Sequence, residues 1–105
     1  MGELGIAVER QDGVTRLDVA GELDLATAPA LREAVAGLLA AGEALTLVLE
    51  LSGVSFLDSS GLGALLQARA EVLAAGGRLS LAGVQPGPRR VIAIAGLAGT
   101  FGIEG

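Results

Sequence analysis

Cysteine, histidine, lysine, tryptophan and tyrosine are all missing from this 105-residue chain. Without cysteine there are no disulfides and no thiol chemistry, and a reducing compartment is permitted. Without histidine the usual general base at neutral pH and the commonest metal ligand are gone. Without lysine no Gly-x-x-x-x-Gly-Lys nucleotide loop can exist. The only aromatics are Phe56 and Phe101, so the core has to be aliphatic. Seven arginines against twelve acids leave a net charge of −5. With no basic footprint and no aromatic platforms, direct binding of nucleic acid is not expected. Nothing in the composition calls for a metal or a cofactor.

Long hydrophobic runs are absent too. The longest uncharged stretch, Val91 to Ile103, carries three glycines and is too short to span a bilayer. The N-terminus has no basic region ahead of an apolar one, so it does not read as a signal peptide. Gly2 raises N-myristoylation, but Ile6 stands where that signal wants Ser or Thr. The chain reads as soluble and cytoplasmic, with no membrane insertion. Its length suits one domain over residues 1–105, burying roughly 60–68% of the unfolded surface.

What is present is a regular pattern of elements. Leu4, Ile6 and Val8 alternate with Gly5, Ala7 and Glu9, the period of a half-buried strand. Asp12-Gly13 signals a hairpin turn into a second strand, where Thr15, Leu17 and Val19 oppose Arg16 and Asp18. The two should pair antiparallel at a flank of the sheet. Gly21-Glu22-Leu23-Asp24 then breaks the strand, with Glu22 and Asp24 as a solvated acid pair. Thr27 is a candidate N-cap, and Leu31, Val35, Leu38 and Leu39 form the stripe of a helix ending near Gly42. Leu45 to Leu51, apolar almost throughout, reads as a central strand covered on both faces. A second helix from Ser59 buries Leu62, Leu65, Leu66, Val72 and Leu73 and closes at Gly76-Gly77. Arg78 to Gly83 is the next strand, joined to the previous one by a parallel crossover. The loop Gln85 to Pro88 leads to a short helix over Arg89 to Ala95, and Thr100 to Ile103 reads as a last short strand. The order β-β-α-β-α-β-α-β predicts a small α/β domain, a mixed sheet flanked by helices.

The chain is organised around Asp58-Ser59-Ser60-Gly61-Leu62-Gly63, a polar turn between the most apolar strand and the longest helix. Three roles compete for it. Asp or Ser can simply cap the helix. A serine nucleophile fails on parts, since neither His nor Lys exists to act as its base and Gly-x-Ser-x-Gly does not occur. A phosphorylated serine would sit among unpaired N–H groups at the positive end of a helix and would switch a binding surface.

Phe56-Leu57-Asp58-Ser59-Ser60-Gly61-Leu62-Gly63 resembles the phosphorylation motif of the anti-sigma factor antagonists, members of the STAS domain family. Gly21-Glu22-Leu23-Asp24 resembles that family's turn after the second strand. Arg90-Val91-Ile92-Ala93-Ile94-Ala95-Gly96-Leu97 is similar to its helix ending in Gly-Leu. The three matches keep the family's order and spacing over almost the whole chain.

The resemblance implies a non-enzymatic partner switch. The unmodified protein would bind an anti-sigma factor with serine kinase activity and so free a sigma factor. The kinase would phosphorylate Ser59, blocking binding, and a PP2C-type phosphatase would reverse it. Glu22, Asp24, Asp58, Ser59, Ser60, Gly61 and Leu62 are the residues expected to meet the partner. The alternative is a STAS subunit of another assembly, such as a stress-sensing complex or a lipid ABC transporter. The family also implies a helix after the last strand, which the sequence up to Gly105 does not supply. Either the chain is trimmed there or the helix is absent, and its absence would bare apolar surface or favour self-association.

Overall fold

Alternation along Val14–Leu23 sends Thr15, Leu17 and Val19 into the core and leaves Arg16 and Ala20 exposed, with Asp18 half-buried. The computed structural model describes residues 3–103. Met1 and Gly2, which bear on the acylation reading, and Glu104 and Gly105 lie outside the described residues. The order is β1 (Gly5–Gln11), β2 (Val14–Leu23), α1 (Ala28–Leu39), β3 (Thr46–Leu57), α2 (Ser59–Ala74), β4 (Arg78–Ala82) and α3 (Pro86–Ile94). The strands form one sheet in the order β1-β2-β3-β4. β1 and β2 are antiparallel, joined at Asp12 and Gly13, both of which have positive φ as a tight hairpin requires. β2–β3 and β3–β4 are parallel.

Both crossovers step in the same direction across the sheet, so right-handed connections put α1 and α2 on the same face. There Leu17, Leu49 and Leu81 lie abreast in register and are buried against the helices. Leu31, Val35 and Leu38 of α1 and Ala64, Leu65, Ala68 and Val72 of α2 complete the cluster. Each fully buried Leu or Val here contributes about 1.5–3 kcal/mol relative to exposure.

The opposite face corrects the reading of β3 as covered on both sides. Thr46 is exposed and Val48 and Glu50 are half-buried, level with Arg16 and Asp18 of β2. Arg16 bonds Glu9 and Asp18 across this face. The Asp18 hydrogen bond and the two carboxylates raise its pKa above the ordinary arginine value.

Other expectations change along the chain, among them that for Leu66, which is half-buried rather than buried. Gly21 does not end β2, which continues to Leu23 through a register shift that its φ of 120° absorbs. α3 begins at Pro86, because prolines are tolerated in a first helical turn. Leu73 is 43% exposed rather than buried. Thr100 to Ile103 forms no strand: Phe101 N–H and Ile103 N–H bond back to the carbonyls of Leu97 and Ala98. Phe101 and Ile103 still enter the core, held by turns instead of a ladder.

Candidate functional site

The parallel strands β2 and β3 end side by side, Glu22 level with Phe56 and Leu23 with Leu57. One residue further on, each strand reaches an aspartate, and each aspartate turns the chain into a helix. Asp58, extended at φ −113° and ψ −172°, caps α2: its Oδ1 accepts the N–H of Gly61 at 2.9 Å. Its carbonyl accepts the first helical bond, from Leu62 N–H at 2.9 Å. Its own N–H reaches across to the Leu23 carbonyl at 3.3 Å.

This division of labour frees the serines. The capping bond belongs to Asp58, so neither hydroxyl is used for it. The N–H groups of Ser59 and Ser60 have no hydrogen-bond partner among the described residues and lie at the positive end of the α2 dipole. Ser59 is exposed and Ser60 half-buried. The carboxylate–backbone bond thus meets the demand for a cap without consuming either serine hydroxyl.

Gly61 locks the two turns together. It is buried, and a Cβ there would run into the Leu23 carbonyl oxygen and stand 2.8 Å from Leu57 Cδ1. Only a residue without a side chain lets α2 start this close to the end of β2. Leu62 is 8% exposed and packs inward. Gly61 and Leu62 hold the surface, while Ser59 and Glu22 are exposed on it.

Asp24 is not a free solvated acid. Its Oδ1 accepts the N–H groups of Ala26 at 3.0 Å and Thr27 at 3.1 Å, and its carbonyl accepts Ala28 N–H. Thr27 stands at the N-cap position but makes no capping bond. Its hydroxyl instead donates to the Glu22 carbonyl at 2.7 Å and accepts from Asp24 N–H at 3.0 Å. Of the acid pair, Glu22 is the exposed member and Asp24 is half-buried in the turn. A charge reversal at Asp24 would disrupt the turn as well as any contact, so Glu22 is the better probe of steering.

Thr27→Val is expected to strand the Glu22 carbonyl and Asp24 N–H at a position only 5% exposed. The cost should be about 1–3 kcal/mol, or a melting point lower by roughly 5–20 °C for a chain of this size. Thr27→Ser should recover most of it. Equal melting of Thr27→Val and the parent would show that these bonds contribute nothing net.

One surface feature escaped the sequence reading. Leu25 lies in this turn with 75% of its surface exposed, and Phe56, beside Glu22, keeps 47%. The available signal for Leu25 was an apolar residue ahead of α1 that does not share the phase of Leu31, Val35 and Leu38.

Residues 5–104 match the model of the STAS domain. The chain belongs to the STAS domain family. Among its STAS relatives is the anti-sigma-F factor antagonist RsfB of Mycobacterium tuberculosis, 38% identical over 96 residues, covering 91% of this chain and 77% of RsfB. The crystal structure of an anti-sigma factor antagonist from Mycobacterium paratuberculosis superposes with a TM-score of 0.81 at 37% identity, over 93% of this chain and 82% of that one. The Bacillus cell fate determinant SpoIIAA in its phosphorylated form matches with a TM-score of 0.70 at 28% identity, over 92% and 87% of the two chains. The likeness to these two structures extends over most of the mixed sheet and helices described above.

Among the described residues no helix is long and apolar enough to cross a membrane. No group of three or more acids that would hold a metal ion occurs among them either.

Proposed function

We propose that this protein is an anti-sigma factor antagonist acting in the cytoplasm by partner switching. Unmodified, it binds an anti-sigma factor that is also a serine kinase, and a sigma factor is released. Phosphate placed on Ser59 ends that binding, and a PP2C-type phosphatase restores it. The observation that carries the reading is the exposed Ser59 at the start of α2, its hydroxyl left free because Asp58 supplies the cap. The relatives' names supply the identity of the partner. Glu22 lends negative charge to the same edge of the sheet and steers approach. Ser59, Ser60 and the main chain around Asp58 form the contact, and Gly61 and Leu62 hold it in place.

The test is incubation with the cognate anti-sigma kinase and ATP, followed by phosphopeptide mapping. Phosphate is expected on Ser59, because Ser60 is partly covered and presents its hydroxyl less readily. Modification confined to Ser60 would overturn the assignment. Absence of any complex between unmodified protein and kinase would overturn the function itself.

A further inference from the structure

The turn between β2 and α1 carries a leucine that the fold does not use. Leu25 is 75% exposed, yet the backbone on either side of it is pinned. Asp24 N–H is held by the Thr27 hydroxyl, and the N–H groups of Ala26 and Thr27 are held by the Asp24 carboxylate. Single apolar residues on a surface are ordinary. Leu25 differs in its base: the turn presenting it is fixed, so little backbone freedom is lost when it is seated in a partner.

Its place matters as much as its exposure. The turn is tied to the serine turn by the Asp58 N–H bond to the Leu23 carbonyl, and the same oxygen is what excludes a side chain at Gly61. A surface that meets Ser59 at the start of α2 therefore approaches the neighbouring turn too. Glu22 is the exposed acid beside it, since the Asp24 carboxylate is taken up inside.

We propose that Leu25 is the apolar anchor by which this protein grips its anti-sigma factor. It seats in an apolar pocket of that partner, whose rim carries a basic group facing Glu22. The proposal rests on the partner-switching function proposed above and adds the residue that supplies affinity. Ser59 decides whether the complex forms; Leu25 sets how tightly the unmodified protein holds.

The probe is the purified anti-sigma kinase, titrated against wild-type protein, Leu25→Ser and Leu25→Met, with melting curves and Ser59 phosphorylation kinetics on each. Leu25→Ser should bind about 10- to 100-fold more weakly, the loss expected when a buried leucine contact is removed, and should melt like wild type. Leu25→Met should stay within about threefold, since a methionine fills a similar volume. The KM for phosphorylation of Ser59 should rise with the Kd while kcat holds, the signature of an interaction equal in ground and transition states. Binding of Leu25→Ser within twofold of wild type would overturn the anchor. So would a fall in kcat at constant KM, or a loss of affinity that follows a lowered melting point. Failure of wild-type protein to bind would instead bring down the proposed function, with the anchor inside it, and is recognised without any variant at residue 25.

Discussion

Gly61→Ala is expected to destabilise the protein by about 2–3 kcal/mol, a large part of the 5–15 kcal/mol that holds a typical domain folded. An added Cβ would meet the Leu23 carbonyl oxygen and Leu57 Cδ1. The first of these is main chain, fixed by its bond to Asp58 N–H, so it has no rotamer into which to retreat. The start of α2 would have to lift away from the end of β2. Better helix propensity of alanine returns at most about 1 kcal/mol. Gly63, two residues on in the same helix, is the control, because a Cβ there meets nothing within 4 Å. Gly63→Ala should therefore stabilise by roughly 0.5–1 kcal/mol. Thermal or urea unfolding of the pair checks both signs. Because Gly61 joins the two turns, Gly61→Ala should also weaken partner binding under conditions where it is still folded.

The second large effect is the switch. Phosphorylation of Ser59 should weaken binding by at least 100-fold and leave the melting temperature within a few degrees. In the free protein the phosphate enters a site with two unpartnered N–H groups and a favourable dipole, a gain of about 0.3–1 kcal/mol, up to roughly 2. The Asp58 carboxylate repels it, by a fraction of a kcal/mol to about 1 in a wet, screened setting. These nearly cancel, so the fold barely changes. In the complex the dianion must give up its water, which costs several kcal/mol per buried ion unless a cation compensates. A loss of about 3 kcal/mol is already roughly 150-fold. Ser59→Asp, shorter and singly charged, should imitate the effect in part, and Ser59→Ala should bind and ignore the kinase.

The serine turn was legible in the sequence because its chemistry is local. An aspartate, two serines and a glycine between an aliphatic strand and an amphipathic helix have few other arrangements, and Asp58, Ser59 and Gly61 stand where that pattern places them. Asp24 was not legible in the same way. Whether its carboxylate turns outward or takes up the N–H groups of Ala26 and Thr27 depends on the turn's conformation, which the Thr27 hydroxyl fixes through its bonds with the Glu22 carbonyl and the Asp24 N–H. The open face of β3 was hidden for another reason: an aliphatic run reads as covered on both sides, whereas Val48 is only half-buried, level with the exposed Arg16 of β2. At the C-terminus, Phe101 and Ile103 alternate as a strand would, but two apolar residues are too short a signal. Bonds back to Leu97 and Ala98 satisfy that backbone instead.

The most direct test is a pair of titrations of the anti-sigma kinase, one with unmodified protein and one with protein fully phosphorylated on Ser59, each with its melting curve. The account predicts tight binding for the first, binding weaker by 100-fold or more for the second, and nearly coincident melting transitions. Equal affinity of the two forms would contradict the switch, and collapse of the phosphorylated protein's melting temperature would show that phosphate acts by unfolding the domain and not by blocking its surface.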